Sequence, residues 1–523
     1  MVMKKMFPTR TIVKRFFGLV LMVSMLTMCV GMNEEPESEE TTAEKTTTEK
    51  TTTENMEQAD PDSVTTRHQV TIEGKKVDYS VTAGMMPVTI DGNACSIFYT
   101  AYTMEGVKDT SERPVTFAFN GGPGSSSEWV HLGFLGPRHV ELDEEGQPTQ
   151  FPSKIVDNEN SILDITDLVF IDPVGTGYSH VADGVDEAFF SDYRKDIASV
   201  GEFIRLYISR NSRWQSPKYL AGESYGTMRA VGLADYLSSN FDMGLNGLLL
   251  LSNVNDFSIL NEVTQSDISY VLLFPSYAST GYYHKLLDKK YQDMDLEEFL
   301  KEAKKFAEED YQTALFKGAR MTDNEKENIA KKYSELTGLD KDYVLKSDLR
   351  VFLPDFCMNL LADKGQMVGR LDSRYIAPLS GKDASDFEDP SNSVLGASFG
   401  AAVNQYISEE LGYHTDRTYY TSSVQVGMDW TFGIDNGTID LKQTVGKIMS
   451  ENKYLKVWVL GGYYDLATPF TSAEWIFNHV PLQKETRKNI SYTFYPSGHM
   501  IYMHQPSLEQ FRKDAKEWYG AEE

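Results

Sequence analysis

The run Lys218-Tyr219-Leu220-Ala221-Gly222-Glu223-Ser224-Tyr225-Gly226 carries the strongest structural signal in this chain. Residues of strand character lead into Gly-x-Ser-x-Gly, and Thr227 to Leu237 continues with helical spacing. A serine between two glycines at a strand-to-helix turn is the arrangement that presents a hydroxyl at the end of a sheet as a nucleophile. A serine in an isolated turn is more often structural, so the strand before it and the helix after it matter as much as the pentapeptide.

A serine hydroxyl is a weak nucleophile at neutral pH and needs an imidazole base, itself oriented by a carboxylate. In a fold with this turn the acid and the histidine follow the serine in that order, each on a loop after a strand. Val457-Trp458-Val459-Leu460 leads through Gly461, Gly462, Tyr463 and Tyr464 to Asp465, and Tyr492 to Tyr495 leads through Pro496, Ser497 and Gly498 to His499. His414, His479 and His504 also follow the serine, but only His499 closely follows a strand through a Pro-Ser-Gly turn. Asp256 competes with Asp465 because it follows the strand Leu248 to Leu251, although an Asp there suits a helix cap. The expected catalytic residues are Ser224, Asp465 and His499.

Further strand-like runs occur at Val70 to Ser80, Ala94 to Tyr102, Val115 to Phe119 and Leu168 to Ile171, with helical stretches between several strands. This alternation predicts a mostly parallel central sheet flanked by helices, the α/β-hydrolase fold. From Asn255 to Ser391 the pattern breaks, and Lys285 to Leu345 is rich in Glu, Lys, Ala and Leu at helical spacing. The expected division is a leader over 1–32, a disordered acidic linker over 33–66, a first core part over 67–254, an inserted helical cap over 255–391 and a second core part over 392–523.

The loop Asn120-Gly121-Gly122-Pro123-Gly124-Ser125-Ser126-Ser127 resembles the signature loop of the serine carboxypeptidases. Leu135-Gly136-Pro137, Asp172-Pro173-Val174-Gly175-Thr176-Gly177-Tyr178-Ser179, the serine turn and Gly498-His499-Met500 with Gln505-Pro506 resemble that family's motifs in order and spacing. The resemblance runs from about residue 75 to the C-terminus and suggests an exported bacterial member. It implies an oxyanion hole from the backbone N–H groups of Gly122 and Tyr225, and a site for the substrate's terminal carboxylate at Asn120, Gly121 and Glu223. Glu223 must be protonated to donate to a carboxylate. The partner implied is a peptide with a free C-terminus, and no metal or organic cofactor is expected. Three positions depart from the family: Ser125 replaces the usual Cys, Ala118 the usual Trp, and Phe134 a Glu that assists in carboxylate binding. The last departure weakens the expectation of strict carboxypeptidase specificity. An esterase or acyltransferase with the same triad is the alternative, and a catalytically silent cell-surface binding protein is a third reading.

A formal charge of −27 argues against nucleic acid, which needs clustered Lys and Arg. The cysteines, Cys29, Cys95 and Cys357, are too dispersed for a metal cluster, and Cys95 with Cys357 forms the one disulfide open to a mature chain. Lys4, Lys5, Arg10, Lys14 and Arg15 precede an apolar run from Phe16 to Val30, the layout of a secretory signal. Cys29 at its end offers a lipid-anchor alternative, so the expected location is extracellular or cell-surface, with a membrane tether through the leader or Cys29. Residues 33 to 66 are dominated by Thr, Glu and Ser and cannot bury enough surface to offset ordering entropy.

Overall fold

The computed structural model describes residues 63–379, 381, 383–433 and 438–521. The leader over 1–32, Cys29 and residues 33–62 of the expected linker lie outside them.

Nine strands build the central sheet: β1 (Ser63–Ile72), β2 (Lys75–Ile90), β3 (Asn93–Met104), β4 (Val115–Phe119), β5 (Asp167–Ile171), β6 (Lys218–Glu223), β7 (Gly247–Leu251), β8 (Lys456–Gly462) and β9 (Ile490–Tyr495). Their spatial order is β1-β2-β3-β5-β4-β6-β7-β8-β9, and a short tenth strand, His180–Val181, pairs with β3. The first three strands and the β3–β5 pair are antiparallel, whereas β5, β4, β6, β7, β8 and β9 run parallel.

The antiparallel start depends on two tight turns. Ile72 pairs with Lys75 around Glu73-Gly74, and Ile90 pairs with Asn93 around Asp91-Gly92. All four turn residues have positive φ, between 47° and 83°, the two-residue turn whose twist matches that of its strands. The strand expected over Val70 to Ser80 is therefore two strands. Ser63 to Thr66, expected in the linker, belong to β1, because Ser63 to Ile72 find partners along β2 from Gly84 back to Lys75.

Strands β4, β5, β6 and β7 are buried at every position, as covering on both faces requires. On one face lie α1 (Tyr193–Arg210), α2 (Tyr225–Phe241), α7 (Lys442–Glu451) and α8 (Phe470–Asn478), contributing Phe203, Met228, Ile448 and Ile476 to a common core. On the other face, α6 (Pro390–Gln405) and α9 (Gln505–Tyr519) contribute Phe399 and Phe511. Between β7 and β8 the chain forms α3 (Asp267–Tyr283), α4 (Leu296–Lys305) and α5 (Asp323–Thr337), which share a separate core around Phe274, Tyr277, Tyr311, Tyr333 and Phe356. Cys95 lies in the first core and Cys357 in this separate one, and both are buried free thiols, so the disulfide considered from the sequence is not formed.

Candidate active site

Because β4, β6, β7, β8 and β9 are parallel, their C-terminal ends meet one edge of the sheet, where ligands bind in open α/β sheets. The loops leaving that edge carry Asn120, Ser224, Ser252, Asp465 and His499.

Ser224 sits between β6 and α2 with φ 58° and ψ −128°, a backbone conformation that costs a non-glycine residue on the order of 1–3 kcal/mol. The surroundings hold it there. Its N–H donates to Leu251 O at 2.9 Å, and its carbonyl accepts from Thr227 Oγ1 at 2.7 Å and from Thr227 N at 2.9 Å. A Cβ on Gly222 would stand 2.1 Å from Gly226 O, so the sharp turn demands glycine there. The glycine loop lies directly on this turn: a Cβ on Gly121 would stand 2.5 Å from Tyr225 N. Buried Arg229 ties the loop down, donating to Asn120 O at 2.6 Å and to Asp196 Oδ2 at 2.9 Å. Tyr225 opens α2, so its N–H has no intrahelical acceptor, and Gly122, next to Gly121 in the glycine loop, has φ +102°, which glycine adopts without penalty.

Asp465 is fully buried. Its Oδ1 accepts from Ala467 N at 2.8 Å and Thr468 N at 3.0 Å, and its Oδ2 from Thr468 Oγ1 at 2.6 Å and from His499 Nδ1 at 2.8 Å. Burial disfavours the carboxylate, but the charge and hydrogen bond of His499 and the Thr468 bonds outweigh it, and the Asp465 pKa is lowered. Burial likewise works against the His499 imidazolium, yet Asp465 prevails and raises the histidine's pKa. Such a geometry suits an orienting acid with a base.

A segment outside the expected triad joins the two loops. His499 N donates to Leu371 O at 2.7 Å and Leu466 N to Arg370 O at 3.0 Å, while Asp389 accepts Arg370 N and Leu371 N, each at 3.0 Å. Ser252, following β7, donates from Oγ to His499 O at 2.6 Å. With Nδ1 committed to Asp465, Nε2 is the ring atom left for a serine. Among the described residues neither His499 Nε2 nor Ser224 Oγ has a hydrogen-bond partner, so the serine–imidazole bond is not made here. Such bonds commonly tighten only with substrate.

The competitors are elsewhere. Asp256 caps the short turn Phe257–Ile259 through Ser258 N at 2.9 Å and pairs with Lys442. His479 is exposed and bonds Trp475 O, His504 bonds Ser507 Oγ at 2.7 Å, and His414 is exposed.

Beside the serine, Glu223 is 4% exposed, and its two oxygens accept from Asn120 Nδ2 at 2.9 Å and Tyr502 OH at 2.8 Å. Burial pushes its pKa up to about 7, against the lowering influence of His499, Tyr502 and Asn120. Phe134 is buried against Tyr502 and Phe511, and Ala118 is buried within β4. No local pattern pointed to Tyr502 or to the Arg370-Leu371 segment, whose contacts arise only on folding. Thr468 could have been found, since a hydroxyl three residues after an Asp often closes a turn on it. Among the described residues no group of three or more His, Cys, Asp or Glu side chains forms a metal site.

A family model described as serine carboxypeptidase matches residues 72–500. Human retinoid-inducible serine carboxypeptidase is 30% identical over 171 residues, which cover 31% of this chain and 32% of that protein. Serine carboxypeptidase-like 29 of Arabidopsis thaliana is 29% identical over 133 residues, 25% of this chain and 26% of that protein. The matched stretches thus span about a third of the length of these curated relatives or less. Among solved structures, the prohormone-processing carboxypeptidase KEX1(delta)p of Saccharomyces cerevisiae superposes with a TM-score of 0.54 at 15% identity, covering 84% of this chain and 91% of that one. At that identity the likeness shows the fold, that of the α/β hydrolases.

Proposed function

The chain belongs to the serine carboxypeptidase family, and from that premise we propose that it releases C-terminal amino acids from peptides through an acyl-enzyme on Ser224. The observation that carries this reading is the buried Asp465–His499 pair on the same sheet edge as a serine held at φ 58°. His499 Nε2 takes the proton of Ser224 Oγ as the oxygen attacks the last peptide carbonyl, and Asp465 stabilises the imidazolium. The N–H groups of Gly122 and Tyr225 receive the oxyanion. His499 then gives its proton to the departing amino acid, and water repeats the sequence to free Ser224.

Asn120, Gly121 and Glu223 receive the substrate's terminal carboxylate in this account. With Glu223 titrating near 7, its carboxyl is protonated below that pH and can donate. Activity on free-acid peptides then falls as pH rises through that value. The helical block over 255–391 acts as a cap on the site, and the N-terminal segment serves export, with a tether through the leader or Cys29 as one form of it. Phe134, apolar where the family carries a second Glu, favours an esterase or acyltransferase as the second reading.

Mass spectrometry of products from a mixture of free-acid and amidated peptides tests the proposal. Stepwise loss of C-terminal residues from the free acids is expected, and turnover confined to esters would replace the exopeptidase with the second reading.

A further inference from the structure

Tyr502 is a phenol that bonds the glutamate beside the serine. It lies in the short turn Ile501–Met503 just after His499, 3% exposed, and its hydroxyl donates to Glu223 Oε2 at 2.8 Å while Asn120 Nδ2 occupies Oε1 at 2.9 Å. The ring cannot swing away. It stacks on Phe134 at 4.9 Å with planes 18° apart, and Gly133 leaves it room, since a Cβ there would stand 2.6 Å from Tyr502 Cε2.

We infer that Tyr502 is a specificity-determining positioning residue whose fixed hydroxyl makes Glu223 a proton-gated receptor for a substrate's free C-terminal carboxylate. This rests on the carboxypeptidase reading above and goes beyond it to a residue that reading does not use. When Glu223 is ionised, the phenolic hydrogen points at Oε2, and the site presents a negative charge that repels a carboxylate. When Glu223 takes one proton from solvent on Oε1, Tyr502 keeps its bond to Oε2 and holds the carboxyl in place. The new O–H, with Asn120 Nδ2 turned from Oε1, then donates to the incoming carboxylate. No other bond forms or breaks.

The groups that face Glu223 agree with such a gate. Asn120 comes from the glycine loop, Asp465 from the acid loop, and His499 and Tyr502 from the histidine loop, while Glu128 faces Tyr502 from the start of the helical turn after the glycine loop. Burial raises Glu223's pKa, and the Tyr502 hydrogen bond holds it lower than it would otherwise be. Loss of the hydroxyl therefore leaves Glu223 protonated to higher pH.

The test is Tyr502→Phe in the full chain, with KM and kcat measured for a free-acid peptide and an ester of matched sequence across neutral and acid pH. Fluorophosphonate labelling reports that the variant is folded. Expected is a rise of roughly 10-fold in the ratio of free-acid KM to ester KM at acid pH, the size of one lost hydrogen bond that positions the receptor. The pH at which the remaining free-acid activity declines is expected to move upward. An unchanged ratio with an unchanged pH limb overturns the inference, as does an equal rise for both substrates. Glu223→Gln, which cannot ionise, gives a second check: its free-acid KM is expected to lose its dependence on pH, and a persisting limb overturns the gate. A wild-type enzyme that removes amidated and free C-termini equally well sinks the carboxypeptidase reading itself, a result distinct from either variant's.

Discussion

Thr468 shows how much a single hydroxyl can bear. It donates to Asp465 Oδ2 at 2.6 Å, the same oxygen that accepts His499 Nδ1, and its Oγ1 lies 3.1 Å from that ring nitrogen. Thr468→Val keeps the shape and removes the bond, so Asp465 becomes easier to protonate and holds the imidazole less firmly. A kcat loss of about 10- to 100-fold is expected from a lost hydrogen bond to a charge. Steady-state kinetics with Thr468→Ser as control checks it, since serine keeps the hydroxyl and should keep most of the rate. Asp465 and His499 were legible in the sequence because each follows an apolar strand through a short glycine-bearing turn, a pattern local to a few residues. Thr468 and Tyr502 were less so, because their roles depend on which carboxylate the folded chain brings within reach.

Among the elements, the parallel strands were readable from short apolar runs, since burial on both faces leaves no alternation to misjudge. The turns Glu73-Gly74 and Asp91-Gly92 were not read: alternation continues across the first, so Val70 to Ser80 looked like one strand. The helices between β7 and β8 were legible as helices, but their aromatic core was not, because its members come from distant segments. Phe274 of α3 is fully buried, with ring centroids 4.8 Å from Tyr333, 5.1 Å from Phe306 and 5.7 Å from Tyr311. Phe274→Ala is expected to destabilise this block by about 3–5 kcal/mol. Protease nicking between α3 and α5 measures it: the variant should be cut there faster than wild type, and equal rates would mean the block does not depend on that core. Leu466, next to Asp465, packs in the same core, so activity should fall along with it.

For the molecule as a whole, acid pH is the stabilising direction at three buried carboxyls. Burial, with a contribution from Asp172, raises Glu128 well above its ordinary 4.5; burial takes Asp172 from 3.8 to about 6 and Glu223 to about 7. A group that holds its proton more tightly when folded adds stability below its unfolded pKa, and that stability is lost as pH rises through its folded value. Their share of the stability is therefore lost from about pH 5 toward neutrality, against His131, His139 and His504, which burial holds neutral and which favour the higher pH. Relative to wild type, Glu128→Gln should tilt the dependence of the thermal midpoint on pH toward higher pH, whereas the exposed Glu308→Gln should not. Parallel slopes in all three proteins would contradict this. At the same scale, the sheet edge gathers a strained serine, a histidine and a buried acid from three strands. The direct measurement is intact-protein mass spectrometry after fluorophosphonate treatment, with the adduct mapped by peptide sequencing. One adduct on Ser224, absent in Ser224→Ala and slowed in His499→Ala, is the predicted result; a folded wild-type protein that gains no adduct would contradict it.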